Sequence, residues 1–205
     1  MAEYTLTFPL KDNDVTKLKI GDTIYVNGLM VMARDEAHHR ALEFAKEGKP
    51  LPVNLVGNGL FHCGPVVDKN EKGEWLVKAA GPTTSSRMNL FEAEFIEKYR
   101  IKIIVGKGGM DKRTGDALKK FKAVYCAFTG GAGVIAANGI KDNKMKDVHW
   151  LDLGTPEALW VFDAKKFGPL IVAMDIHGDS LYTNVMKQAQ ENIKSIEQKY
   201  DLKLT

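Results

Sequence analysis

Residues Met88 to Gly108 read MNLFEAEFIEKYRIKIIVGKG, and the period of this stretch changes once along its length. Met88, Phe91, Phe95, Ile96 and Tyr99 recur at helical spacing, so one face of a helix is apolar. Ile101 to Val105 then has the form of a strand buried on both faces. A helix feeding a short buried strand is the repeating unit of an α/β fold, and the rhythm continues on both sides.

Downstream, a short helix near 114–121, a strand near 123–128, the Gly-rich segment 129–133 and a strand near 148–151 come in turn. Leu159 to Phe162 and Leu170 to Asp175 are expected as two further apolar strands, and a helix from about Tyr182 to Tyr200 closes the chain. Upstream, Tyr4 to Phe8 alternates as a strand. Thr23–Val26 and Leu29–Met32 flank Asn27-Gly28, which predicts a hairpin turn. Ala37, Ala41, Leu42 and Ala45 mark a helix behind an Asp35 cap, stopped by Gly48-Lys49-Pro50. Strands are expected over 57–67 and 74–80, joined by the polar turn 68–73. At 205 residues, with no repeat or low-complexity tract, the expectation is one α/β domain over 1–205, a mixed sheet with flanking helices.

Composition narrows the function classes. Lys and Arg total 29 against 26 Asp and Glu, and the signs are interspersed, so no stripe suited to nucleic acid forms. Lys11, Asp12, Asp14, Lys17 and Lys19 interrupt the place where a signal peptide needs an apolar run, and Pro169 to Met174 is too short to span a bilayer; a cytoplasmic location is expected, with no membrane partner. The two cysteines, Cys63 and Cys126, stand apart in apolar settings, which suits buried small hydrophobes and neither a disulfide framework nor a metal knuckle.

Four segments could carry chemistry. Gly81-Pro82-Thr83-Thr84-Ser85-Ser86-Arg87 places hydroxyls and a guanidinium where a strand gives way to a helix, whose unpaired N–H groups attract anions; a capped helix with an exposed Arg fits equally well. Gly106-Lys107-Gly108-Gly109 combines close backbone approach with a cation but lacks P-loop spacing. If the strands ending at Ala80 and Val105 are parallel neighbours, both loops reach one sheet edge. Arg34 stands at a strand-to-helix junction. Asp35, His39 and Glu43 line a helical stripe, but three successive positions span ~12 Å of rise, too far for one ion. Gly178-Asp179-Ser180-Leu181 matches an esterase signature in letters, yet no histidine comes after Ser180, so a turn and helix cap are expected. Gly131-Ala132-Gly133-Val134-Ile135-Ala136 is expected to be a tight turn, because a dinucleotide fingerprint normally opens its unit.

In order along the chain, Arg34-Asp35-x-Ala37-His38-x-Arg40, Gly64-Pro65, Gly81-Pro82-Thr83-Thr84-x-x-Arg87-Met88 and Gly106-Lys107-Gly108 resemble the iron–sulphur class I fumarate hydratases, specifically their C-terminal domain, a separate β subunit in two-subunit members. The L-tartrate dehydratase β subunit shares the pattern. The resemblance implies a swivelling β/β/α domain, reversible hydration of fumarate to S-malate, and an α subunit, in a heterotetramer, that carries a [4Fe–4S] cluster. With two cysteines this chain is expected to hold no cluster or other metal. The resemblance further implies that Arg34, Arg87 and Lys107 clamp a dicarboxylate and that Thr83 stands at the position of the proton-abstracting group. Ser85-Ser86, Gly109 and His177-Gly178-Asp179 depart from the family's frequent residues without removing a charged one. The alternatives are an L-tartrate or other 2-hydroxy-acid dehydratase subunit and a stand-alone dicarboxylate-binding module.

Overall fold

A computed structural model describes residues 1–200. Its central strands are β1 (Glu3–Thr7), β2 (Thr23–Ala33), β3 (Gly59–His62), β6 (Ile103–Gly106), β7 (Val124–Ala127), β8 (Asp147–His149) and β9 (Leu159–Met174). They are hydrogen-bonded in the order β1-β2-β3-β6-β7-β9-β8, and β9 also pairs with β2. The ladders β2–β3, β3–β6 and β6–β7 are parallel, and β7–β9 and β9–β2 antiparallel, so these five strands close on themselves. A single helical turn, α1 (Asp12–Val15), lies between β1 and β2. The α/β reading with a mixed sheet holds.

Alternation along each strand separates two cores. Ile24, Val26, Met30, Met32, Phe61, Ile103, Val105, Val124, Trp160, Phe162 and Leu170 belong to the cluster inside the ring. Val31, Leu60, Ile104, Tyr125, Val161 and Ala173 face the other way, against α2 (Asp35–Lys46), α3 (Glu92–Tyr99) and α4 (Lys112–Phe121). Each fully buried large side chain contributes about 1.5–3 kcal/mol of transfer free energy, which fixes the register.

Three local expectations change. Asn27-Gly28 is no hairpin turn: β2 runs straight through it. Between the pairs Val26↔Phe167 and Gly28↔Ala164 the ladder with β9 slips, Gly28 takes φ +96°, and Oδ1 of Asn27 accepts the Lys166 N–H at 2.8 Å. The dipeptide's turn chemistry is used in a β-bulge. The two strands expected at 159–162 and 170–175 are one, β9, bent opposite that bulge. The strand expected over 57–67 breaks at Cys63-Gly64-Pro65, and beyond the break β4 (Val66–Lys69) pairs with β5 (Trp75–Ala79) as a separate hairpin.

α5 (Gly133–Asn138) comes after the Gly-rich turn that ends β7, and α6 (Leu181–Tyr200) runs along the outside with no buried residue. Ser180 Oγ accepts the Thr183 N–H at 3.4 Å, the expected cap. No described helix is long and apolar enough to cross a membrane.

Candidate functional site

Strands β2, β3, β6 and β7 run parallel, so their carboxyl ends share one edge. Arg34 is the residue after β2, Cys63-Gly64 the pair after β3, and Lys107 the residue after β6. The loop carrying Thr83 reaches this edge by a different route from the one the sequence suggests. β5 is not a neighbour of β6; the chain leaves β5 and lays Pro82 to Ser85 between the ends of β3 and β6. Thr83 N donates to His62 O at 2.7 Å, Lys107 N to Thr83 O at 3.4 Å, and Ser85 N to Lys107 O at 2.9 Å. Thr83 is thus sewn into the sheet edge beside Lys107.

The helix expected to start there is a 3-10 turn over Ser85–Leu90, continued by α3 after Phe91. Thr84 precedes it and makes no side-chain cap bond, so the anion-attracting α-helix N-terminus expected from the sequence does not form. Arg87 still points to the site. Its Nε donates to Asp35 Oδ1 at 3.1 Å and its Nη2 lies 3.0 Å from Oδ2. Arg34, rather than Asp35, is the N-cap of α2, which leaves the Asp35 carboxylate free for this contact. Arg34 Nη2 lies 3.4 Å from Glu157 Oε1, and its buried Nε has no hydrogen-bond partner. Gly64 makes room: a Cβ there would stand 2.6 Å from Pro156 O, 3.0 Å from Arg34 Cδ and 3.1 Å from Arg34 Nη1. Arg34, Thr83, Arg87 and Lys107 therefore share one edge.

Beneath that edge lies a polar cluster that sequence reasoning missed. His38, His62, Ser85 and Glu92 are buried. His62 Nε2 is 2.8 Å from Glu92 Oε2 and its Nδ1 2.9 Å from Ser85 Oγ; Tyr125 Oη is 2.9 Å from the same Oγ and 2.8 Å from Gly108 O. His38 Nδ1 is 2.7 Å from Arg34 O, and its Nε2 is 3.4 Å from Glu92 Oε2. Burial pushes the Glu92 acid up, but His62 and His38 outweigh it and hold the carboxyl down at about 2. His38 lies one turn after Arg34, as their spacing of four suggests, but that Glu92 on the buried face of α3 would meet His62 was not readable from spacing.

His38, His62 and Glu92 are the metal-compatible trio among the described residues, with ligand atoms within 4.8 Å of one another. Direct contact of Nε2 with the carboxylate at 2.8 Å matches a charge-assisted hydrogen bond. The Asp35–His39–Glu43 stripe yields only an exposed His39–Glu43 contact at 3.7 Å. A cluster finds no thiolates here. Cys63 and Cys126 are fully buried in the inner core, and burial pushes the Cys63 thiol up to about 12 and Cys126 higher still. The residues present do not fit a [4Fe–4S] group.

The family model described as Fumarase C-terminus matches residues 2–185. This chain belongs to that family. It is 45% identical over 176 residues to the L(+)-tartrate dehydratase subunit beta of Escherichia coli K12, which covers 86% of this chain and 85% of that one. A putative L(+)-tartrate dehydratase subunit beta of Methanocaldococcus jannaschii is 43% identical over 195 residues, 95% of this chain and 98% of its own. A putative class I fumarate hydratase of Geobacillus stearothermophilus is 37% identical over 194 residues, where this chain spans 36% of the longer protein. Within the class I fumarate hydratase family the chain corresponds to the β subunit.

Proposed function

We propose that this chain is the β half of a two-subunit hydro-lyase acting on four-carbon dicarboxylates, and that an α partner carries the [4Fe–4S] cluster. One observation carries the reading: Arg34, the Thr83–Arg87 segment and Lys107, from three separate stretches of the chain, sit on one sheet edge, bound together through the Arg87–Asp35 contact and the Thr83–Lys107 backbone bond. A site with three cations and a hydroxyl can grip two carboxylates and orient the carbon between them. When bound to its own subunit, the cluster supplies Lewis acidity toward the departing hydroxyl.

Two substrates fit. Fumarate hydration to S-malate is supported by the resemblance and by the Geobacillus relative. Dehydration of L-tartrate fits at least as well, since the relatives that match at 45% and 43% carry that name. In either direction Arg34 and Lys107 hold carboxylates, and Arg87, oriented by Asp35, offsets charge that develops beside a carboxylate when the adjacent C–H proton is removed. Thr83 contributes its hydroxyl at that carbon and needs a carboxylate from the partner to accept the proton, because an alcohol is a poor base alone.

Exposed Val66, Val134 and Ile135 lie on segments flanking Gly81, with Val66 paired to Ala79 and Gly133 O accepting the Ala80 N–H at 2.9 Å. That apolar rim suits a covering subunit more than a stand-alone binding module.

The test is anaerobic co-expression with the α subunit, then assays of fumarate hydration and L-tartrate dehydration. The expected result is activity in the complex and none in the isolated chain. Full activity of the isolated, cluster-free chain would overturn the reading, and the ratio of kcat/KM values assigns the substrate.

A further inference from the structure

The buried cluster is a connected series of polar contacts. Gly108 O can only accept, and the Tyr125 hydroxyl faces both it, at 2.8 Å, and Ser85 Oγ as donor. Ser85 Oγ, which accepts from Tyr125 at 2.9 Å, in turn meets His62 Nδ1 at 2.9 Å. The remaining nitrogen, Nε2–H, donates to the Glu92 carboxylate. The contacts lead from Glu92 through His62, Ser85 and Tyr125 to the carbonyl next to Lys107. Beside the same carboxylate, His38 Nε2 stands 3.4 Å away without a hydrogen bond, and its Nδ1 lies 2.7 Å from the carbonyl of Arg34. Both ends terminate on backbone carbonyls of loops that bear clamp cations.

Its surroundings permit little play. A Cβ on Gly106 would lie 1.9 Å from Ser85 Oγ and 3.2 Å from both His62 Nδ1 and Tyr125 Oη, so the backbone of β6 is packed directly against the chain. Ser85 is also tied through its N–H to Lys107 O. It stands two residues after Thr83 and two before Arg87.

We propose that Ser85, His62, Glu92 and Tyr125 are positioning residues that fix the separation of Arg34 and Lys107, and that this separation makes the site select dicarboxylates over 2-hydroxy monocarboxylates. The proposal rests on the dicarboxylate reading above. A fixed pair of cations rewards a ligand that spans both; once one loop drifts, only the second carboxylate loses its partner.

The experiment uses the assembled enzyme carrying Tyr125→Phe or, as a less disruptive alternative, Ser85→Ala. Inhibition constants are measured for succinate and for lactate, with active sites counted by cluster content. The expected result is that succinate binding weakens about tenfold while lactate binding changes less than about twofold, since misplacement of one clamp element penalises only the ligand that uses it. The double variant should lose no more than the worse single one, because both links act on the same loop. A succinate-to-lactate ratio equal to that of the wild type, with only the number of active sites reduced, assigns the cluster to folding alone and overturns the proposal. Additive losses in the double variant overturn it as well. If the wild-type complex binds neither succinate nor any other dicarboxylate, the functional reading fails first and takes this proposal with it.

Discussion

Arg87 and Asp35 meet across the site, Nε 3.1 Å from Oδ1 and Nη2 3.0 Å from Oδ2, although 52 residues separate them in sequence. The Arg87 side chain is 52% exposed, so water screens the pair and it adds little to folding. Its consequence is orientation. Arg87→Lys keeps the charge but cannot place two nitrogens against one carboxylate while presenting others to a ligand. We expect both Arg87→Lys and Arg87→Ala to lower kcat/KM of the assembled enzyme about tenfold or more, the range for hydrogen bonds to charged groups, with Ala only modestly worse. Thermal unfolding should move by no more than ~1 kcal/mol equivalent. Near-normal turnover in both variants would remove Arg87 from the site.

Gly64 tests Arg34 without touching its charge. A methyl group there runs into Pro156 O and the Arg34 side chain, and the backbone atom cannot swing away. Gly64→Ala should destabilise the chain by about 1–3 kcal/mol through the Pro156 clash and also raise KM, since the Arg34 side chain must give way as well. In steady-state kinetics of the complex, adding Gly64→Ala to Arg34→Ala should cause almost no further fall in kcat/KM. Independent losses would show that the two positions do not communicate.

Gly106 is more demanding. Its substitution by Ala puts carbon 1.9 Å from Ser85 Oγ, and Ser85 cannot retreat while its amide holds Lys107 O. The expected loss by denaturant unfolding is at least the ~1–3 kcal/mol typical of overpacking. Pairing Gly106→Ala with Ser85→Gly, which clears the hydroxymethyl group, should recover part of that stability; failure to do so would place the clash elsewhere.

The strand and helix rhythm was legible because hydrophobic period is set directly by which face is buried: the expected strands at 101–105 and 123–128 fall within two residues of β6 and β7. What misled was local chemistry with two uses. Asn27-Gly28 carries the same φ preference for a bulge as for a turn, and only the long partner β9 selects the bulge. Ser85 reads as a helix cap by type, yet tertiary packing turns its hydroxyl inward to His62. Arg34, Thr83, Arg87 and Lys107 were singled out together by motif order, not spacing, since no local pattern tells that Pro82 to Ser85 will lie between β3 and β6. The His62–Glu92 contact was invisible for the same reason: it joins a strand to a helix 30 residues away.

The buried cysteines give a check on where a cluster resides. Cys63 and Cys126 are held as thiols by burial, and the thiolate is both the nucleophile and the ligand. Native chain should resist iodoacetamide, and both residues should label after unfolding, read by intact mass. Anaerobic incubation of the isolated chain with iron and sulfide should yield no iron–sulphur absorbance. Stoichiometric iron retained by the folded chain alone would contradict the assignment of the cluster to a partner.

Glu92 links the network to pH. The unfolded carboxyl titrates near 4.5, whereas in the fold it is held down to about 2 by His62 and His38. The fold therefore binds fewer protons than the unfolded chain between those values, and its stability must fall as pH drops through that window. Above about pH 4.5 this contribution is fully present; at pH 2 it is largely gone, because the buried acid must then accept a proton and release both imidazoles. Replacing the charge by an amide, Glu92→Gln, should destabilise the chain at neutral pH, since it leaves His62 Nε2 without its anionic partner in a dry environment. The same variant should flatten the acid limb. Urea midpoints measured from about pH 7 to about pH 2 should converge for wild type and Glu92→Gln toward the acid end. Parallel curves across that range would assign the acid sensitivity to other carboxylates and leave Glu92 a neutral hydrogen-bonding group.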